Sequence, residues 1–530
     1  MTVASGFTAA GALVLVLVSG SPTRSDSRRV PLQEQTARAS SFVPDEATIS
    51  DIHAALAAGP ITCVQVVRAY LRRIEAYDDR GPALNALIAI DPKALQTAAD
   101  LDRTSRSRMK PLHCIPVILK DNYDTADMPT TGGSVTLAGS IPLRDAFVVR
   151  KLREAGAIIL AKANLTELAR GGTTVSSLGG QTKNPYDLTR TPGGSSGGTG
   201  AAIAASFAVI GTGTDTGQSI RSPASAQSLV GLRPTRGLVS RTGIIPISTT
   251  QDEAGPITRT VADAARTLDV MAGYDADDPI TAFDAHRIPP TYTAFLNRNG
   301  LKGARIGVLS EFFGGDAVHH DVNAVTEGAM RKMAEAGAEM VRIAIPRLDQ
   351  LTRNIQVAEY ETKIAFNAYL ASLGPRAPVK TLEEFIARGG FHPSLRAGLE
   401  NDQRVVDGRN DAEYRNRLRR RDDLRQAVMN VIAANKLDAI LYPHQRRLVA
   451  RIGDEQLERN GVLSNSTGFP ALTLPGGFSP PSATAPLGVP IGIELLGPEW
   501  GEPTLIRLAS AFEHVAGIRR SPVSTPSLDR

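Results

Sequence analysis

Two glycine-rich stretches surround the serines best suited to chemistry. Thr191 to Gly198 reads TPGGSSGG, and Gly211 to Arg221 reads GTGTDTGQSIR. Glycines beside serines let the backbone turn sharply and leave successive N–H groups free to point inward, as an anion or oxyanion site requires. The same residues also suit a linker or a tight packing site. Other glycine-loop chemistries do not fit: no Lys-Ser or Lys-Thr completes a G-x-x-x-x-G-K-[ST] phosphate loop, there is no dinucleotide fingerprint, and the G-x-S-x-G elbow is missing. Lys120 is a candidate base. It follows an apolar run and opens the string KDN, at a strand end where ligand sites of α/β folds collect. Burial there would favour its neutral amine, which can accept a proton near neutral pH; a solvated amine, with a pKa near ~10.4, cannot. A surface lysine, or one paired with Asp121 or Asp124, fits the same pattern.

Histidine offers no better base. His113 and His444 flank apolar strands, His53 and His514 fall in helix-like segments, and His286, His319, His320 and His392 sit in polar regions. No HExxH, paired-carboxylate metal site or Cys-His arrangement emerges, and no cofactor motif is present. A Ser-His-Asp triad assembled from distant segments is not excluded by spacing.

These residues need elements to hold them. Thr48 with Asp51, and Thr62 with Gln65, have the spacing of helix-capping pairs, and Val64, Val67, Tyr70, Leu71 and Ile74 keep a helical period. Ile115 to Leu119 reads as a strand ending at Lys120, and Ala157 to Leu160 as a strand ending near Lys162. Between them Asp145 is positioned to cap a helix carrying Phe147, Val148, Val149 and Leu152, with Gly156 at its stop, so the segment predicts a βαβ unit. Nine glycines lie between Gly171 and Gly200, and Ala201 to Ala208 then predicts a helix able to press close to a sheet. Farther on, Ala304–Leu309, Met340–Ile345 and Leu437–Tyr442 read as strands and Val322–Glu335 as a helix; residues 350 to 435 are charged and helix-like, a possible cap. The expected fold class is α/β: one large mixed sheet covered by helices on both faces, over 42–520.

Composition bounds the rest. The 530 residues are 42% hydrophobic and 21% charged, enough for a large core. Basic residues number 59 and acidic ones 54, an excess too dilute to suggest nucleic acid. Cys63 and Cys114 allow one bridge at most and rule out a disulfide scaffold. Ala9 to Val18 is an apolar run of export-signal length, though no Lys or Arg precedes it. Residues 1–41 are therefore expected as leader and linker, with a periplasmic or secreted location if the leader functions and a cytoplasmic one otherwise. Residues 521–530, rich in Ser and Pro, are expected as a flexible tail. No segment reaches ~18 continuous apolar residues, so an integral membrane protein is not expected.

Taken together, PLHCIPVILKDN, AGAIILAKANLTE, QTKNP, TPGGSSGGTGAA, GTDTGQSIRSPAS, GLRPTRGLVSRTGIIPIS and QDEAGP, followed by DAILYP and GFPALTLPGG, resemble the amidase signature family from about Thr48 to Ile518. Within it the chain looks most like bacterial peptide amidases. The resemblance implies a catalytic lysine at Lys120, a bridging serine at Ser195, usually preceded by a cis peptide, and a nucleophile at Ser219. It implies an oxyanion hole from the N–H groups of Thr216, Gly217, Gln218 and Ser219, supported by Ser196, Asp215 and Arg221. The loop Met128 to Ser134, with Met128, Thr130, Thr131, Gly132 and Gly133, matches one near the acyl side of the substrate. Phe366, Tyr369, Tyr442 and Phe469 suit either a pocket lining or the core. The implied activity is hydrolysis of small-molecule or short-peptide amides by a monomer or homodimer without cofactor. A glutaminase subunit of a tRNA-dependent amidotransferase and an idle binding member of the family are the alternatives. One position departs: the family commonly carries glycine where Gln218 stands. If the backbone there needed φ > 0, glutamine would be strained by ~1 kcal/mol or more.

Overall fold

In the computed structural model, residues 42–528 are described, apart from 60, 105–107 and 285. The leader expected over 1–41 lies outside them. The core of the molecule is an eleven-stranded mixed sheet. From one edge its strands run Leu87–Ile90, Ile158–Ala163, Pro116–Lys120, Ile210–Asp215, Glu253–Thr258, Val230–Arg233, Ala471–Phe478, Pro490–Leu496, Ala439–Pro443, Arg305–Leu309 and Glu339–Ile343. The expected α/β architecture is therefore present.

Parallel pairs sit toward both ends and antiparallel pairs between them. Pro116–Lys120 pairs in parallel with Ile158–Ala163 and with Ile210–Asp215. Ile210–Asp215 in turn pairs antiparallel with Glu253–Thr258, Asp215 opposite Glu253. These four strands are buried along their whole length, as helices covering both faces require. The parallel pair 116–120 and 158–163 is joined by the helix Phe147–Glu154, which buries Val148, Val149 and Leu152, completing the βαβ unit.

Local signals act as read in most places. Thr48 and Thr62 each close a capping box, with Asp51 and Gln65, at the starts of helices Ile49–Ala58 and Cys63–Tyr77. Asp145 does not cap its helix; Ala146 occupies that position, and the Asp145 carboxylate instead accepts from the Ala126 N–H and pairs with Arg153. The charged partner competes with the cap for the same oxygens. The alanine-rich helix begins earlier than expected, at Gly197, and runs to Ala204, wholly buried. Its glycines explain the shift: a Cβ on Gly198 would stand 2.2 Å from the Asn164 carbonyl oxygen and one on Gly197 2.2 Å from Thr174 Oγ1, so only glycine lets this turn press against its neighbours.

Between the strands 339–343 and 439–443 the chain forms the expected helical cap, including Ala358–Ser372, Leu382–Arg388 and Ala412–Ala434. It has a small core of its own in which Phe366, Leu370, Phe385 and Phe391 meet Leu137, Leu168 and Ile245 of the main body. The C-terminal segment differs from the flexible tail expected of it. Arg73 donates to the Thr525 and Pro526 carbonyls, Tyr77 Oη to Pro526 O at 2.8 Å, and Ser524 Oγ to Pro185 O at 2.6 Å. Its low hydrophobicity is offset by backbone hydrogen bonds to a buried arginine. Cys63 and Cys114 form a disulfide, Cα atoms 5.2 Å apart, that ties the second helix to a residue just ahead of the Lys120 strand.

Candidate active site

Lys120 ends its strand fully buried, and its amine touches oxygen atoms only: Ser195 Oγ at 2.8 Å, Thr214 Oγ1 at 2.7 Å and Thr214 O at 3.3 Å. The alternative pairings do not occur. Asp121 faces Lys162, 3.2 Å away, and Asp124 accepts from Tyr369 Oη at 2.8 Å. Burial lowers the Lys120 amine from its ordinary 10.5 to about 7, against an opposing pull from the carboxylates of Asp215 and Asp252. A neutral amine has two N–H donors and one lone pair. Thr214 supplies two acceptors, its hydroxyl and its carbonyl, which leaves the lone pair for the Ser195 hydroxyl. Thr214 Oγ1 is itself positioned by Asn122 Nδ2 at 3.0 Å.

Ser195 is fully buried, and the Gly194–Ser195 peptide bond is cis. Ser196 N–H donates to the Ser219 carbonyl at 3.2 Å, and Ser196 Oγ reaches the Thr214 carbonyl at 3.4 Å. Loop 194–196 is thereby joined to loop 216–219. Ser219 retains 7% of its surface, toward a cavity. Among the described residues no hydrogen bond links its hydroxyl to that of Ser195.

The loop 216–219 carries the clearest chemical polarity in the molecule. Each of its carbonyls is occupied: Thr216 O by Gln251 Nε2 at 3.1 Å, Gly217 O by Arg221 Nη2 at 2.6 Å and Asn465 Nδ2 at 3.0 Å, Gln218 O by Ser222 N–H at 2.7 Å, and Ser219 O by Ser196 N–H. Among the described residues, none of the N–H groups of Thr216, Gly217, Gln218 or Ser219 donates to a protein acceptor. Fixing the oxygens on one side turns the donors to the other, as a site for a negative oxygen needs.

A buried ionic frame holds that loop. Asp215 Oδ2 accepts from the Ile220 N–H and from Arg221 Nε, both at 3.1 Å, while Arg221 Nη1 reaches Glu494 at 2.7 Å and Arg233 stands 3.2 Å from Asp215. Burial alone would raise the Asp215 carboxyl; Arg221 and Arg233 overcome it and hold the group down at about 2. Thr216 Oγ1 donates to Asp252 Oδ1 at 2.6 Å.

Gln218 carries no positive φ, so the strain expected of it does not arise. Its side chain has room because position 461 is glycine: a Cβ there would stand 2.8 Å from Gln218 Cβ and 2.7 Å from the Gly217 carbonyl oxygen. With its carboxamide oxygen turned to Arg459, Gln218 accepts from Nε at 2.9 Å and from Nη1 at 2.8 Å. That orientation follows from the guanidinium, which has donors only.

Two cavities adjoin the site and share Ala169, Thr216 and Ile247 on their walls. The larger, about 750 Å³, reaches Asn122 and Thr214 on one side and Tyr369 of the cap on the other. The smaller, about 390 Å³, holds Ser219, Gly217 and Gln218 with Arg459 and Asn465. Met128, Thr130, Thr131, Gly132 and Gly133 line neither. Met128 lies in the main hydrophobic core, and the other four pack around Asp121 and Lys162: Gly132 N–H donates to Asp121 O at 2.8 Å, and Lys162 Nζ to Thr130 Oγ1 at 2.9 Å. Of the four aromatics, Tyr369 reaches the larger cavity, Phe366 packs in the cap core, and Tyr442 and Phe469 lie in the core beneath the second half of the sheet.

Known proteins share this fold. The family model described as Amidase matches residues 65–506. The chain belongs to the amidase signature family. This amidase shares 36% identity with the native peptide amidase of Stenotrophomonas maltophilia, over 91% of this chain and 99% of that one, with a TM-score of 0.82. It is 35% identical to a "Probable amidase" of Arabidopsis thaliana, over 91% of this chain and 92% of the relative. It is also 35% identical to a glutamyl-tRNA(Gln) amidotransferase subunit from Halorhodospira halophila, over 88% of this chain and 97% of the relative. Several site residues carry little or no signal in the sequence. Thr214 stands in the GTGTDTGQSIR string and Asn122 in KDN, so both carry some local signal. Gln251 opens the QDEAGP string, whereas Asn465 and Arg459 come from distant segments with no local signal.

Proposed function

We propose that this amidase is a serine amidohydrolase whose acyl-enzyme forms on Ser219, with Lys120 as the base and Ser195 as the bridge. The observation that carries the reading is the pairing of a buried amine, lowered to about 7 and 2.8 Å from Ser195 Oγ, with four N–H groups around Ser219 that have no acceptor among the described residues. Ser219 Oγ, free to rotate, closes on Ser195 when substrate binds; proton-transfer bonds of this kind commonly tighten only in the complex. Lys120 takes the Ser195 proton, Ser195 takes that of Ser219, and Ser219 Oγ attacks the amide carbonyl. The N–H groups of residues 216–219 receive the charge on the carbonyl oxygen, each donor worth about 3 kcal/mol in comparable hydrolases. The proton returns along the same path to the departing nitrogen, and water then releases the acid.

Likeness to the peptide amidase supports small peptide or amino-acid amides as substrates, with aryl and aliphatic amides as further acyl donors. The amidotransferase relatives support a glutaminase reading as the second one, and its partner would be a tRNA-binding subunit. The test is a fluorophosphonate probe followed by peptide mapping. The adduct is expected on Ser219 in folded protein, absent from Ser219→Ala and strongly slowed in Lys120→Ala. A folded protein that acquires no adduct would instead be an idle member of the family. The Cys63–Cys114 disulfide supports a periplasmic or secreted location, tested by the intact mass of protein recovered from its native host.

A further inference from the structure

The cavity at Ser219 has an unbalanced charge. Arg170 and Arg459 are the charged side chains on its wall, and no carboxylate lines it. Arg170 is already engaged by Asp402 and by Thr362 Oγ1 at 2.7 Å. Arg459 is not: among the described residues no carboxylate lies within ion-pair reach, and its one side-chain partner is the neutral oxygen of Gln218. A guanidinium has five N–H donors. Gln218 takes two, leaving three without a protein acceptor on a side chain that remains open to the cavity.

The other arginines of the site are neutralised. Arg221 faces Asp215 and Glu494, Arg233 faces Asp215, and Arg241 forms a two-pronged pair with Asp278. The surrounding protein lowers the Arg459 guanidinium with no neighbouring carboxylate to offset it. Among the described residues, the larger cavity offers no unpaired cation. Asp124, Asp252, Glu253, Asp277 and Asp278 line it against Arg144 and Arg241, both of which are paired. Burial raises the Asp124 carboxyl to about 7 and that of Glu253 to about 8, so an anion brought to the nucleophile meets unpaired donors on the Arg459 side alone among the described residues of the two cavities.

We infer that Arg459, oriented by Gln218, is an anion-recognition residue, and that the preferred substrates are amides bearing a carboxylate close to the scissile bond. Planar, forked donors suit a carboxylate held through two hydrogen bonds. The inference rests on the amide-hydrolase reading and narrows it. It also gives Gln218 a purpose: its carboxamide anchors the inner edge of the guanidinium and leaves the outer edge for substrate.

The test compares glutaramate, the monoamide of glutaric acid, with pentanamide, a neutral amide of similar length. The wild-type kcat/KM should favour glutaramate at least tenfold, mainly through KM. Arg459→Gln should bring the ratio near one, and Arg459→Lys should restore part of it. Taking the ratio cancels any effect that the substitution transmits through Gln218 to the oxyanion loop, because both amides use that loop. Calorimetry of glutarate with Ser219→Ala provides a readout without turnover: binding is expected, and should be lost in Ser219→Ala/Arg459→Gln. A wild-type ratio near one, or a ratio and a glutarate affinity both indifferent to Arg459, would overturn the inference. If neither amide is hydrolysed but glutarate binding still depends on Arg459, the anion site stands and amide hydrolysis falls.

Discussion

Replacing Lys120 by methionine should abolish turnover and yet stabilise the fold, by an amount that depends on pH. The side chain is fully buried, and its amine is lowered from 10.5 to about 7. At pH 7 about half the native molecules then hold the neutral base, against roughly one in 3,000 for an unperturbed amine. Below pH 7 the native amine is charged in a place that disfavours charge, and this penalty on the fold is fully present. Between pH 7 and about 10 the unfolded chain still binds the proton while the native chain has released it, so wild-type stability rises with pH. The slope approaches about 1.4 kcal/mol per pH unit once the native amine is neutral, and the gain from Lys120→Met should shrink by about 2 kcal/mol between pH 7 and 9. Urea denaturation of both proteins at pH 6, 7, 8 and 9 measures this directly. Below pH 7 the difference should level off at its maximum, a few kcal/mol. In parallel, wild-type kcat/KM should climb with pH and flatten above about 7, falling about 100-fold by pH 5. A stability difference that stays constant from pH 7 to 9, together with kcat/KM that is flat from pH 5 to 9, would refute a neutral Lys120.

Three further outcomes follow from single contacts. Thr214→Val removes the hydroxyl 2.7 Å from Lys120 Nζ and leaves a buried N–H unpaired; kcat should fall at least tenfold with KM little changed, at a stability loss of about 1–3 kcal/mol in thermal melts. Gly461→Ala places a methyl 2.7 Å from the Gly217 carbonyl oxygen, so loop 216–219 must shift; steady-state kinetics should show the loss in kcat, while a variant with full turnover would mean the loop tolerates displacement. Cys63→Ser opens the bridge to Cys114 across a sequence separation of 51 residues and should destabilise the oxidised protein by about 2–4 kcal/mol. A reductant should lower the melting temperature of wild type and leave that of Cys63→Ser unmoved.

Much of this architecture was legible because its signals are local. Alternation of apolar strand and amphipathic helix places Lys120 at a strand end, and capping pairs at Thr48 and Thr62 mark helix starts through contacts three residues apart. The order of the motifs, read as a family resemblance, groups Lys120, Ser195 and Ser219 although 75 residues separate the first two. Where a local signal had a rival, it failed. Asp145 looks like a cap until Arg153 competes for its carboxylate, and the C-terminal segment looks free until Arg73 collects its carbonyls.

Residue type and short-range periodicity are properties of the chain alone, and they suffice for the candidate groups and for the strands and helices that carry them. The chemical state of those groups comes from packing. The amine of Lys120 is near neutral because packing removes its water and surrounds it with hydroxyls. The donors of 216–219 have no acceptor among the described residues because Gln251, Arg221, Asn465 and Ser196, from four separate segments, take carbonyls on the other side. Arg459 meets Gln218 across more than two hundred residues, and no carboxylate accompanies it among the described residues. Desolvation and unpaired charge are sums over everything nearby in space, and proximity of that kind has no counterpart in residue order.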